Sequence, residues 1–416
     1  MLLLYRSAFA ALLPFIGVRL LWKGRRDRRY WRHISERFGC YAFPLQSARI
    51  WVHAASVGEV VAAATIIDRV ISAYPEARIF ITTMTPTGRQ QIQQRYGNNP
   101  HVQYGYVPYD LRFAIGRLLR AIKPRVCVIM ETELWPILID ETHRHQIPIL
   151  LANARLSQRS CRKYAKLRGF IGETLSKIDI IAAQHHADAR RFRFLLGEAT
   201  GRVQITGSVK YDLAHNAHDQ GMRRQHIWLA VSTHPGEEAI MLAAFAQIRA
   251  RYRDSVLLLA PRHVDRIPRL LNWCQEVIGD QVTTYSQEPD WQSVQGVVLI
   301  DQLGVLRHCY PLASVAFVGG SLVERGGQNP IEPAAYGLPV LMGPSRYNFH
   351  AITRAMSQAG ILTVVNNSQD IAEAVIAYRD NPSTTSTLGI KAKQFVVAQG
   401  GAADQHMAYI RQLEVG

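Results

Sequence analysis

From Ile50 onward, short apolar runs alternate with stretches of helical period, and the alternation runs twice. The first series reads as strands at IWVHA (50–54), RIFITT (78–83), VQYGYV (102–107), VCVIM (126–130), IPILLANA (147–154), IDIIAAQ (178–184) and VQIT (203–206). Amphipathic stretches near 60–73, 87–96, 111–122, 137–146, 158–176 and 186–197 separate them. A polar segment, DLAHNAHDQGMRRQH (212–226), breaks the pattern and reads as a linker. The pattern then restarts with WLAVS (228–232), VLLLA (256–260), VTTYS (282–286), VVLI (297–300), SVAFVGG (314–320), PVLMG (339–343) and ILTVV (361–365). Strands that alternate with helices predict parallel sheets with right-handed crossovers. The expectation is therefore an α/β chain of two Rossmann-like domains, 37–211 and 227–416, with a final helix over about 383–413 that can cross back to the first. In open parallel sheets ligands bind beyond the carboxyl ends of the strands, so the residues just after each strand are the ones to inspect.

The 416 residues exceed what one ordinary core accommodates, and 48% of them are hydrophobic with no low-complexity run. Cys40, Cys127, Cys161, Cys274 and Cys309 are scattered, with no C-x-x-C pair and no zinc spacing, which argues for a reducing compartment and against a structural metal. A net charge of +16 calls for an anionic partner. The densest basic run is N-terminal. Residues 1–22 are apolar apart from Arg6 and Arg19, with Ser7–Val18 uncharged between them, and Pro14 and Gly17 are expected to weaken a helix there. A basic stretch with interleaved aromatics follows, KGRRDRRYWRHISER. An uninterrupted apolar run so short does not predict a spanning helix. Residues 1–36 instead suit a segment lying in the interface beside anionic headgroups. A cleaved signal peptide and a helix packed on its own domain are the alternatives. No RNA-binding motif accompanies the charge, so no nucleic-acid partner is expected.

Several clusters follow strands. His53-Ala-Ala-Ser56-Val-Gly58-Glu59 puts Glu59 at a helix start, where it either acts as a general base or stabilises the helix dipole. Thr82-Thr83-Met84-Thr85-Pro86-Thr87-Gly88 offers phosphate binding or plain capping. Glu131-Thr132-Glu133-Leu134-Trp135-Pro136 places two carboxylates at a strand end, a costly arrangement unless they are solvated, paired or used. Asn153-Ala-Arg155-Leu-Ser157 follows another strand. In Gly207-Ser208-Val209-Lys210-Tyr211-Asp212, Lys210 either counters developing negative charge or faces solvent. The second half carries Ser232-Thr233-His234-Pro235-Gly236-Glu237, where Pro235 suits a first helical position, and Pro261-Arg262-His263, where Arg262 suits a phosphate. Its longest cluster is Gly319-Gly320-Ser321-Leu-Val-Glu-Arg-Gly326-Gly327-Gln328-Asn329-Pro330-Ile331-Glu332-Pro333. Its glycines let the backbone approach a ligand, Asn329 opens a helix able to hold an anion, and Glu332 is placed to accept ribose hydroxyls.

Taken in order, SVGE, TTMTPTG, METELWP, NARLS, GSVKYD, STHPGEE, PRH and GGSLVERGGQNPIEP resemble the Kdo (3-deoxy-D-manno-octulosonic acid) transferases of lipopolysaccharide assembly, over essentially the whole fold. The resemblance implies a GT-B glycosyltransferase with two Rossmann-like domains facing a central cleft. The N-terminal half would take the acceptor, a lipid A precursor (lipid IVA), and the C-terminal half the donor, CMP-Kdo. It further implies that Glu59 is the catalytic base and that Glu131 and Lys210 stabilise the transition state. CMP would be held by Arg262, His263, Leu303, Gly304, Val305, Asn329, Pro330, Ile331 and Glu332. Gln328 and Pro235 depart from the histidine and glutamate usual at those places, which bears on fine nucleotide contacts and not on the reaction class. One base opposite the leaving group implies inversion, through an oxocarbenium-like transition state. No DxD-type acidic motif is evident, so neither metal nor cofactor is expected. The expected location is the cytoplasmic face of the inner membrane. The alternatives are a UDP-sugar enzyme of envelope synthesis and a non-enzymatic scaffold at the membrane surface.

Overall fold

The computed structural model describes residues 1–197, 201–213, 225–279, 281–288, 294–302 and 304–415, apart from the Arg26 side chain. The chain divides into two compact units, Met1–Leu213 with Gly400–Gly416, and Ala214–Gln399. All fourteen expected strands form, each within a few residues of its sequence bounds. Unit 1 holds β1 (Ile50–His53), β2 (Ile79–Thr83), β3 (Val102–Tyr106), β4 (Val126–Met130), β5 (Ile149–Ala154), β6 (Ile180–Ala183) and β7 (Val203–Ile205). They make one parallel sheet in the order β3-β2-β1-β4-β5-β6-β7. Unit 2 holds β8 (Ile227–Thr233), β9 (Val256–Pro261), β10 (Val282–Thr284), β11 (Val297–Leu299), β12 (Ala316–Val318), β13 (Val340–Met342) and β14 (Leu362–Val364). Its parallel sheet runs β10-β11-β9-β8-β12-β13-β14, with β11 slotted between β9 and the edge strand β10.

The unit 1 strands read as continuous apolar runs because helices cover both faces of the sheet. The pleat sends alternate residues to opposite sides. Trp51, Phe80, Cys127, Ile129 and Leu151 join one core, beside Ile115 and Leu119 of the helix Arg112–Ile122. Ile50, Val52, Ile81, Val128 and Leu150 join the other, beside Ala63, Ile66 and Ile67 of the helix Val57–Ala73. That second core is completed by Ala402, Ala403, Met407 and Ile410 of the helix Ala402–Val415. Residues 400–416 therefore belong with the first sheet and not with the second. The polar stretch 212–226 straddles the point where the chain passes from unit 1 to unit 2, and its residues 214–224 lie outside the described residues.

Three helical expectations need correction. The stretch 158–176 is two helices, Gln158–Ala165 and Arg168–Leu175. The first buries none of its side chains, whereas the second buries Phe170, Ile171 and Leu175, and Leu167 between them leaves helical geometry so that each can follow its own surface. The final stretch is also two helices, Pro382–Ala398 and Ala402–Val415, parted where Gly401 takes a φ of 92°. Finally, Pro14 and Gly17 do not break the N-terminal segment, which is one helix over Leu2–Arg26. Its span Leu2–Arg25 contains an 18-residue window of mean hydropathy 1.4 and is long and apolar enough to cross a membrane by length and composition. The expectation of a segment too short for that does not hold.

Candidate functional site

In a doubly wound sheet, the crevice for a ligand forms where the strand order reverses. In unit 1 that point lies between β1 and β4, and the loops leaving these strands carry Ser56–Glu59 and Glu131–Trp135. In unit 2 it lies between β8 and β12, whose loops carry Ser232–Glu237 and the glycine-rich segment from Gly319. Within each unit the sheet order thus brings together two clusters that lie far apart in the sequence. Strand ends here are also where non-glycine residues take left-handed backbone: Glu131 (φ 54°), Asn153 (φ 51°) and Ser232 (φ 56°). Such conformations cost about 1–3 kcal/mol each and persist only where their surroundings hold them.

Glu59 sits in the first turn of Val57–Ala73, whose N-cap is Ser56. Its carboxylate accepts the Ala55 N–H at 2.8 Å and the Ser56 hydroxyl at 2.9 Å. These bonds favour the ionised form, yet the carboxyl is pushed up to about 7, chiefly by burial and then by the nearby Glu133 charge. A carboxyl poised there can accept a proton at neutral pH. Both sequence readings of Glu59 therefore have a structural counterpart, since the side chain closes the helix cap and carries a perturbed proton. Glu131 lies across from Lys210, Oε1 to Nζ 3.7 Å. Glu133, which sequence reasoning left out of the site, accepts the Trp135 indole N–H at 2.7 Å, and burial holds its carboxyl above the usual range. The signal for it was its spacing two residues beyond Glu131 at the same strand end. The threonine cluster after β2 acts as a cap: Thr85 accepts the Gly88 N–H at 3.1 Å.

Lys210 is held through its own loop. The Asn153 carboxamide oxygen accepts the Val209 N–H at 3.3 Å, and the Asn153 N–H donates to His406 Nε2 at 2.8 Å. His406 is fully buried and donates from Nδ1 to the Ala402 carbonyl at 2.6 Å, so it is neutral with one tautomer in place. Burial lowers its pKa. The Asp212 carboxylate accepts the N–H groups of Gly401 (2.6 Å) and Ala403 (2.8 Å). The final helix is thereby bonded to both sides of Lys210.

In unit 2 the glycine-rich segment works differently from the sequence reading. Glu237, fully buried, accepts four backbone N–H groups: Gly320 (2.6 Å), Ser321 (3.0 Å), Leu322 (2.9 Å) and His234 (2.9 Å). The Gly326 N–H goes to Ser345 Oγ (3.1 Å), that of Gly327 to the Gly320 carbonyl and that of Gln328 to the Gly319 carbonyl. These amides are spent inside the protein and are not free for a ligand. The glycines serve backbone-to-backbone packing instead: a Cβ on Gly319 would strike the Ser232 carbonyl, and one on Gly343 the Ser321 carbonyl. Asn329 does not cap a long helix either. The helix is the short Ile331–Ala335 with Pro330 as N-cap, and the Asn329 side chain already accepts the Ile331 N–H at 3.1 Å. Pro235 precedes the N-cap Gly236 rather than occupying the first helical position.

Basic side chains lie after β9 and beside the glycine-rich segment. Arg262 and His263 are exposed immediately after β9. His234 packs edge-on to His263, ring centroids 6.1 Å apart, and meets the Gln328 amide at 3.3 Å. Burial keeps His234 below the usual histidine range, with the charges of His263, Arg325 and Arg262 adding to that. Sequence reasoning passed over His234 as a contact and Arg325 altogether. Glu332 is exposed, with the Tyr310 hydroxyl donating to it at 3.3 Å, and Pro330 and Ile331 are buried beside it. Gly304 takes a φ of 84° and Val305 is half-buried, while Leu303 lies outside the described residues.

Comparison with known proteins bears on the same surfaces. Residues 32–213 match the family model of 3-deoxy-D-manno-octulosonic-acid transferase (kdotransferase). A 3-deoxy-D-manno-octulosonic acid transferase of Haemophilus influenzae is 35% identical over 94% of this chain and 92% of its own length. One from Bordetella pertussis is 29% identical over 96% of each. Among solved structures, a UDP-N-acetylglucosamine 2-epimerase from Listeria monocytogenes superposes with a TM-score of 0.61 over 88% of this chain and 96% of its own, at 15% identity, a likeness of fold alone. The two parallel sheets are those of the GT-B glycosyltransferase architecture. With near-complete coverage on both sides of the Haemophilus alignment, the chain belongs to the 3-deoxy-D-manno-octulosonic acid transferase family.

Proposed function

We propose that the chain transfers Kdo, with inversion, from CMP-Kdo to the lipid A precursor lipid IVA in lipopolysaccharide core biosynthesis. It is a glycosyltransferase by family. The observation that carries the reading is Glu59: a carboxyl at the unit 1 switch point whose pKa is pushed up to about 7. In this reading the acceptor hydroxyl gives its proton to Glu59 as its oxygen bonds to the anomeric carbon of Kdo. The bond from that carbon to the CMP phosphate breaks, and CMP departs with the electron pair. Lys210, steadied by Glu131, faces the developing charge. Arg262, His263, Gly304, Val305, Asn329, Pro330, Ile331 and Glu332 hold CMP, with Arg325 as a further cationic partner of the phosphate and His234 as a neutral hydrogen-bonding one. Leu303 belongs to the same proposed set.

The chemistry is proposed to need neither metal nor cofactor, since CMP carries a single phosphate and arginine can answer its charge. Among the described residues no three His, Cys, Asp or Glu side chains gather as metal ligands.

The proposed location is the cytoplasmic face of the inner membrane, through the N-terminal helix. Leu3, Leu4, Leu12, Phe15, Val18, Leu21 and Trp22 stand exposed along it. Both its ends are tied to unit 1: the Tyr5 hydroxyl donates to Asp110 at 2.9 Å, Trp31 folds back on the Leu21 carbonyl, and Arg29 reaches Gln90 at 2.8 Å. A helix so tied supports a helix laid along the bilayer surface rather than one with its ends on opposite sides.

A radiolabel assay with CMP-Kdo and lipid IVA tests the reaction. Transfer that survives EDTA, with CMP inhibiting far better than UMP or UDP, is the expected result. Activity abolished by EDTA and restored by magnesium would overturn the metal-free step, and stronger inhibition by UDP would overturn the donor.

A further inference from the structure

A cavity of about 570 Å3 opens in unit 2 beyond the carboxyl ends of β12 and β13. Glu324 lines one wall, Ser345 and Arg346 another, and His350, Arg354 and Ser357 a third, spaced along the helix His350–Gln358. Its volume is in the range of small-molecule sites. None of the residues proposed to hold CMP lines it. It is nevertheless fastened to their loop: Ser345 Oγ accepts the Gly326 N–H, the Asn348 N–H donates to the Gly326 carbonyl at 3.0 Å, and Asn348 Nδ2 donates to the Arg325 carbonyl at 2.8 Å.

The charges in this cavity are left open. Three other arginines of unit 2 are ion-paired: Arg266 with Glu238, Arg251 with Asp380 and Arg379 with Asp254. The side chains of Arg346, His350 and Arg354 have no hydrogen-bond or ion-pair partner among the described residues. The Ser357 hydroxyl also lacks one. Two guanidinium groups against the single carboxylate of Glu324 leave one net positive charge when His350 is neutral. That balance suits a monoanion better than a phosphate dianion. Guanidinium forks match a carboxylate in two parallel bonds, while the Ser345 and Ser357 hydroxyls and the Glu324 carboxylate suit the hydroxyls of a sugar.

We infer that this cavity is the subsite for the carboxylated sugar of the donor, with Arg346 and Arg354 on its carboxylate. The inference rests on the CMP-Kdo reading and adds the place where the sugar, as distinct from the nucleotide, is recognised. It makes the protein discriminate a sugar acid from a neutral sugar by charge, independently of the base.

The test uses full-length Arg346→Gln, Arg354→Gln and the double variant, with KM for CMP-Kdo, KM for lipid IVA and the inhibition constant of CMP measured on each. The double variant is expected to raise the CMP-Kdo KM by about tenfold or more, the loss of charge-assisted bonds, with CMP inhibition within twofold of the parent. Retained CMP inhibition also shows that unit 2 is folded. Arg354→Lys, which keeps the charge and loses the fork, should fall between parent and Gln. A parallel weakening of CMP would place the cavity in the nucleotide site and overturn the inference. So would a rise confined to the lipid IVA KM, which would assign these arginines to an acceptor phosphate, or no change in any constant. If the parent protein ignores CMP altogether, the donor reading itself fails, a result distinct from failure of the variants.

Discussion

The two units carry the same device at the same place and put it to opposite use. Each has a glutamate in the first turn of the helix that follows its first strand, at the point where the sheet order reverses: Glu59 after β1 and Glu237 after β8. Glu237 is fully buried and saturated by four backbone N–H groups, so it holds two loops together. Glu59 has two donors, and Glu133 and Glu131 add repulsion. A carboxylate whose lone pairs are all spoken for is structural, whereas one short of donors and beside like charges binds a proton near neutrality. Position in the fold does not distinguish the two; the count of donors does.

The sharpest way to break this contrast is to replace both glutamates by glutamine. Glu59→Gln should lower turnover by about a thousandfold, the middle of the range for loss of a general base, while CMP binding stays unchanged. Near-normal turnover by the folded variant would remove Glu59 from the chemistry. Glu237→Gln should act the other way round. An amide can accept from some of the four N–H groups but brings its own donors against the rest, so unit 2 should lose about 2–4 kcal/mol in chemical denaturation and CMP affinity should fall with it. A variant with parental stability would show that the loops hold without the carboxylate.

A smaller effect is expected from His406→Leu, which deprives the Asn153 N–H of its acceptor. Turnover should fall about tenfold with CMP binding intact. If the loss passes through Lys210, the same substitution made on top of Lys210→Ala should cost little more, because groups acting as one unit are not additive. Full additivity in that cycle would mean a purely structural histidine. His406→Gln, whose amide oxygen can accept the same N–H, should recover part of the loss.

The mildest change is Glu133→Gln. On the proposed reading Glu59 acts in its ionised form, so kcat/KM should rise with pH through about 7. Without the Glu133 charge the Glu59 carboxyl ionises more readily, and the rising limb of the pH profile should move to lower pH with its plateau little altered. The same linkage has a stability side. A carboxyl raised above its unfolded value of 4.5 favours the fold while protonated, so that contribution is present at low pH and is lost as pH climbs through about 7. An unmoved limb in Glu133→Gln would assign the shift to burial and Glu131.

Much of this was legible before any coordinates. All fourteen strands follow from runs of apolar residues between turn signals, because a doubly covered parallel strand is apolar on both faces and needs no partner to reveal itself. The order of motifs pointed to the family and to Glu59, Glu131, Lys210, Arg262 and His263. Helix interruptions were less legible: the break at Leu167 and the one at Gly401 depend on which surface each half must cover. The N-terminal helix runs through Pro14, where local propensity argued for a weakened one.

What tertiary structure alone decided is where each polar group finds its partners. The glycine-rich segment reads in sequence as backbone that can approach a ligand, and only the fold shows that several of its amides are taken by Glu237, Ser345 and neighbouring carbonyls brought from elsewhere in the chain. Glu133 becomes part of the site because folding removes water from it beside Glu59, and Lys210 depends on His406, almost two hundred residues away. Local pattern records which surfaces avoid water. Hydrogen-bond saturation and charge proximity depend on distances between residues remote in sequence, so they exist only once the chain has folded.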